Sequence, residues 1–176
     1  MDEQKKKFLD DNFFGLTIRA TFQHSKTYRN GAKEQKKNEF KRTLRELLTK
    51  LARKYSNRTT CMDDDSHIKN IEYLADNLSK KYAEILAGGR FRIGSAQKAL
   101  NLYLKYLWCA GYISMPPPHC PFDRKIIAEL PGCNGINWTE LDCIENYKCL
   151  VEAANDKSQG VCLAEWELKE YNDETS

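Results

Sequence analysis

The run "FRIGSAQKALNLYLKYLWC", Phe91 to Cys109, does most to limit how this chain folds. On a helix, Ala96, Ala99, Leu100, Leu102, Tyr103, Leu104, Leu107 and Trp108 cover most of the circumference. A helix that is apolar nearly all round is a central one, and the rest of the chain must wrap it. Yet Gln97, Lys98, Asn101 and Lys105 interrupt it on one narrow stripe, because 97, 101 and 105 step by four and Lys98 to Asn101 by three. A charged side chain is costly to bury unless it is paired or used. The stripe therefore faces either water, with lysine stems covering apolar neighbours, or a cleft. In a cleft, two lysines raise the local positive potential and depress each other's pKa.

The segments around this run are helical in pattern almost throughout. Residues 4–23 carry enough aromatics to pack into a core. After Gly31, "AKEQKKNEFKRTLRELLTKLARKY" places Phe40, Leu44, Leu47, Leu48 and Leu51 at helical spacing, with positive charge on the other faces. "SNRTTCMDDDS" is a polar loop. A helix from about His67 to Leu86 turns Ile68, Ile71, Leu74, Leu78, Tyr82 and Ile85 inward, and the paired glycines of "AGGRFRIG" break it. "SMPPPHCPFD" ends the central helix, and Asp123 caps a short helix, "RKIIAEL". A capping-box-like T-x-x-D, Thr139 to Asp142, predicts a helix beginning at Thr139 and ending near Asn155. In the tail, Val161, Leu163 and Trp166 suit either a final helix or a short terminal strand. The expected fold is mainly α, a single-domain helical bundle over residues 1–176.

Charge is distributed unevenly along the chain. Residues 1–58 hold sixteen Lys/Arg against seven Asp/Glu, residues 59–121 seven against six, and residues 122–176 five against twelve. A basic N-terminal half beside an acidic C-terminal half creates a field that orients a polyanion; alternatively, the basic helix is paired with the protein's own acidic tail. No apolar run reaches the roughly 18 residues that cross a bilayer. "MDEQKKKFLDDNFF" lacks the apolar core of a signal peptide, so a cytoplasmic, membrane-free protein is expected. Seven cysteines without a C-x-x-C pair read as reduced, mostly buried thiols. A zinc site from Cys109, His119, Cys120 and Cys133 has no supporting spacing, and no metal or cofactor is expected. "AGGRFRIG" also lacks the spacing and preceding strand of a nucleotide-binding glycine loop.

A second cluster lies in "PPPHCPFDRKII", where His119 and Asp123 sit in a proline-fixed turn. A helix, a glycine-containing hairpin, a helix with the Gln97–Lys98 pair near its start, then P-F-D opening the next helix: this order resembles the helix-hairpin-helix DNA glycosylases. It is similar above all to their archaeal 8-oxoguanine glycosylase branch, where a Q-K pair begins the helix. The resemblance spans about Gly88 to Ile127 and is shared with uncharacterised bacterial proteins. It departs from the family in that Gly94 stands alone, four residues before Lys98, and Arg124 follows the aspartate.

The resemblance implies a DNA partner and a glycosylase/lyase chemistry. A base is flipped from the stack; Lys98 attacks the sugar and forms a Schiff base, and Asp123 takes the lysine proton and stabilises positive charge on the sugar. Gln97 and Asn101 would read a base edge, with Trp108 or Phe122 stacking on it. His119 and Lys105 would line the cleft, and the hairpin amides near Gly94, with Arg90 and Arg92, would hold phosphate. Two other readings compete with it. "RATFQH" offers Arg19 and His24 on a helix, as in small metal-independent ribonucleases. A non-catalytic module would instead use the basic helix Lys33–Arg58 and the 97/98/101/105 stripe as a docking surface, with salt-dependent binding and no turnover.

Overall fold

The computed structural model describes residues 3–56 and 58–175; Asn57, in the expected polar loop, lies outside the described residues, as do Met1 and Asp2. Among the described residues seven α-helices form in order: α1 (Glu3–Phe22), α2 (Glu34–Ala52), α3 (Asp64–Tyr82), α4 (Ile93–Cys109), α5 (Arg124–Ala128), α6 (Ile144–Ser158) and α7 (Leu163–Thr175). The apolar run is α4, and it packs against α1, α2, α3 and α6. Its central position follows from its sequence, since no side of it is polar enough to face water for its whole length.

Each neighbour presents the stripe that its periodicity predicts. From α2 come Phe40, Leu44, Leu48 and Leu51, and from α3 come Ile68, Ile71, Leu74, Leu78 and Tyr82, all buried in one continuous core. Asp63 starts α3 by accepting a bond from the Ser66 N–H at 2.8 Å. Phe40 lies edge-on to Tyr28, Tyr82 and Phe91, so one aromatic cluster joins α2, α3 and the start of α4. Asp10 of α1 takes bonds from Tyr103 of α4 and Arg45 of α2, each at 2.6 Å. Arg45, in the basic helix, therefore pairs with α1 rather than with the acidic tail.

Three sequence expectations are corrected. The tail is helix α7, not a strand: Leu163, Ala164, Trp166 and Glu167 are buried at helical spacing, and the Cys162 carbonyl accepts from the Glu165 and Trp166 amides. Among the described residues there is no strand for it to join, only one isolated bridge between Tyr28 and Leu86. The helix expected from Thr139 begins instead at Ile144. Asp142 cannot serve as a capping-box acid, because its carboxylate accepts from the Ile93 amide and the Arg90 guanidinium. Finally, α3 ends at Tyr82, and the chain turns through Gly88 and Gly89, whose φ values of 66° and 70° favour glycine.

Candidate active site

Lys98 and Asp123, 25 residues apart in sequence, meet at one end of α4, with Nζ 3.7 Å from Asp123 Oδ2. The lysine side chain is 9% exposed and Asp123 36%. Asp123 divides its two oxygens. Oδ1 caps α5 by accepting from the amides of Lys125 (3.0 Å) and Ile126 (3.2 Å), which leaves Oδ2 towards the lysine. The ammonium also lies over the indole of Trp138, 4.2 Å from the ring centre. Burial pushes the Lys98 pKa below its ordinary value, and the Asp123 carboxylate opposes that shift.

Both residues line an open cleft of about 940 Å³. Its walls come from the bend after α1 (Gln23, His24), the start of α5 (Arg124, Lys125) and the 134–139 loop (Asn137, Trp138). Apart from Asp123, the charged side chains lining it are cationic, so an anionic ligand is favoured. Gly94 allows the loop to come this close. A Cβ at residue 94 would overlap the Trp138 carbonyl oxygen, while the Gly94 N–H donates to the Leu141 carbonyl at 2.8 Å.

The polar stripe faces neither water nor a single cleft. Gln97, with no exposed surface, clamps the Phe122 peptide from both sides: Oε1 accepts its N–H at 3.1 Å and Nε2 donates to its carbonyl at 2.8 Å. Asn101 donates to the Cys120 carbonyl at 2.8 Å. These amides are therefore bound to the loop that carries Asp123 rather than placed to read a base edge. Lys105 is paired with Glu167 of α7 at 2.5 Å, and both side chains are 11% exposed. The lowered pKa of Lys98 thus comes from burial and not from Lys105.

The remaining sequence candidates also have internal partners. Arg90 binds Asp76 at 2.6 Å and Asp142 at 3.1 Å, and Arg92 donates to the Thr139 carbonyl at 2.9 Å. The amides of Phe91, Ile93 and Gly94 bind Ser79, Asp142 and Leu141, so the hairpin's donors are spent inside the protein rather than offered to phosphate. Phe122 is fully buried, and Trp108 is half-buried against the core; neither lines the cleft. Arg19 is exposed on α1 outside the cleft lining, and His24 lies past the helix end at Phe22, so the two do not share the expected helix. Among the described residues, no group of three or more His, Cys, Asp or Glu side chains is arranged to hold a metal. Cys109, named with His119, Cys120 and Cys133 as a zinc candidate, is exposed while the other three are buried, and with Cys61, Cys143 and Cys149 exposed as well the thiols are not mostly buried as expected.

His119 belongs not to the cleft but to a buried polar chain beside it. His67 Nε2 lies 2.7 Å from Asn101 Oδ1, and its Nδ1 lies 2.7 Å from Tyr55 Oη. Because the Asn101 nitrogen is donating, its oxygen must accept, which puts the imidazole proton on Nε2 and makes Nδ1 the acceptor of the Tyr55 hydroxyl. Tyr147 Oη lies 2.8 Å from His119 Nδ1, and His119 Nε2 is 3.3 Å from Asp64 Oδ1. Burial, helped by His119, holds the His67 pKa well below 6.5. The sign follows from linkage: below pH 6.5 the unfolded chain takes a proton that folded His67 refuses, so stability is full above 6.5 and falls as the pH drops. Urea unfolding is expected to show a loss of about 1.4 kcal/mol between pH 7.5 and 5.5 from this group. His67→Gln should flatten that slope; an equal slope in the variant would mean that His67 is not its source.

Sequence reasoning missed Trp138 as part of the cleft, and it offered His24 only as a partner of Arg19 rather than as a neighbour of Lys98. Gly94 was the available signal for Trp138, since a glycine inside an apolar helix marks a close backbone approach. No family model matches the chain, no curated protein matches its sequence, and no solved structure matches its fold.

Proposed function

We propose that the protein is a nucleic-acid enzyme of the glycosylase/AP-lyase type, with Lys98 as nucleophile and Asp123 as its assisting carboxylate. The observation that carries this reading is a shielded lysine amine, 3.7 Å from a carboxylate, in a cleft whose other charged side chains are cationic. Amine catalysis needs a neutral nitrogen, and burial moves Lys98 in that direction. A Schiff base needs a nearby anion as positive charge develops, and Asp123 Oδ2 is the one at hand. A cleft of about 940 Å³ is large enough for a flipped nucleotide.

In this scheme Asp123 accepts a proton from the Lys98 ammonium, and Nζ attacks C1′ of the sugar. The N–C1′ bond forms as the glycosidic bond breaks, and the base leaves with the electron pair and takes the proton held by Asp123. Opening of the C1′–O4′ bond, with a proton passing from Nζ to O4′, then gives an iminium cation beside the Asp123 carboxylate. The test is borohydride trapping with DNA carrying an abasic site. A covalent adduct is expected from the wild type and from Lys105→Ala, and none from Lys98→Ala. Tight, salt-sensitive binding without any adduct would remove the lyase mechanism and leave a binding module.

A further inference from the structure

We infer that His24 is the general base of the elimination step that follows Schiff-base formation; the inference rests on the lyase reading above. An iminium at C1′ acidifies the C2′ hydrogen. Its removal forms the C1′–C2′ enamine, and the electron pair then expels the 3′-phosphate as the C3′–O bond breaks. The proton needs an acceptor that is not already committed. Asp123 is poorly placed for this, because one oxygen caps α5 and the other faces the nitrogen that carries the charge. The other ionisable side chains lining the cleft are Arg124, Lys125 and His24. A guanidinium has no acceptor lone pair and neither has an ammonium, whereas a neutral imidazole has one. Imidazole is also the side chain most often used for proton transfer near neutral pH.

The bend that carries His24 is hydrogen-bonded on both sides of that residue. Gln23 N–H donates to the Arg19 carbonyl at 3.0 Å, and Thr27 N–H donates to the Ser25 carbonyl at 2.8 Å. Ser25 Oγ lies 3.2 Å from Ser95 Oγ, which ties the bend to α4 one turn before Lys98. The His24 side chain is exposed within the cleft wall, and no described residue engages its ring. The lysine and the imidazole are thus carried by two elements pinned together beside the site. The cationic Arg124 and Lys125 supply the charge expected where a phosphate leaves.

The experiment uses the full chain and an oligonucleotide with one abasic site, with borohydride trapping and strand cleavage measured in parallel. Substitution of an exposed residue leaves the fold intact. His24→Gln is expected to trap adduct within about twofold of wild type while cleavage slows by about 10²- to 10⁴-fold. Added imidazole should restore part of the cleavage in His24→Ala. Cleavage at the wild-type rate in His24→Gln would overturn the assignment, and so would trapping and cleavage falling together, which would mark His24 as a binding residue. No adduct with the wild-type protein would overturn the lyase reading itself, and the role of His24 with it.

Discussion

Asp123→Asn is expected to lower the rate of adduct formation by about 10²- to 10⁴-fold while leaving stability nearly unchanged. The two effects separate because the two carboxylate oxygens have different work. The amide oxygen of asparagine still accepts from the Lys125 and Ile126 amides, and asparagine caps helices as well as aspartate does. What disappears is the negative charge 3.7 Å from Lys98. That charge now opposes the effect of burial on the lysine, so its loss leaves Lys98 with a still lower pKa. The acidic limb of the pH–rate profile should therefore move to lower pH even as the plateau falls. Asp123→Ala removes the cap as well and should cost about 1 kcal/mol in addition. The measurements are a borohydride-trapping time course across pH and a urea melt of each variant. A wild-type plateau in Asp123→Asn would show that Asp123 is a helix cap and nothing more.

Gly94→Ala is the second large effect, and it acts through the backbone. The added Cβ meets the Trp138 carbonyl oxygen, which belongs to a peptide and cannot rotate away. Either α4 moves or the 137–142 loop lifts, breaking the Gly94–Leu141 and Ile93–Asp142 bonds and withdrawing the indole from Lys98. Overpacking of this kind typically costs 1–3 kcal/mol, and about 3 kcal/mol is expected here because no side chain can absorb it. Trp138 is buried against Lys98, so its fluorescence should report loop displacement before global unfolding. An unchanged melt and emission spectrum would show that the loop yields without cost.

How much of this was legible beforehand depends on the range of the interaction. The central position of α4, the buried stripes of α2 and α3 and the Asp123 cap all follow from residues within a few positions of one another. Where the reading failed, a distant partner had taken the residue. Asp142 looked like a capping acid for its own segment, yet it binds Ile93 and Arg90 about fifty residues earlier. The tail was ambiguous because a short apolar pattern fits two periods; the choice came from packing Leu163 and Trp166 into the core as a helix.

The polar stripe marks this boundary most sharply. Helical spacing alone placed Gln97, Lys98, Asn101 and Lys105 on one face of a buried helix, because a period of 3.6 residues leaves no other arrangement. Their division into different tasks came only with the tertiary structure. Gln97 and Asn101 satisfy buried peptide groups of the 120–122 loop, Lys105 meets Glu167 of α7, and Lys98 alone reaches the cleft. A buried polar group must find a partner, and that partner sits wherever the chain returns. Local sequence determined the helices and the side chains they present; the long-range return of the chain decided which lysine was left beside a carboxylate.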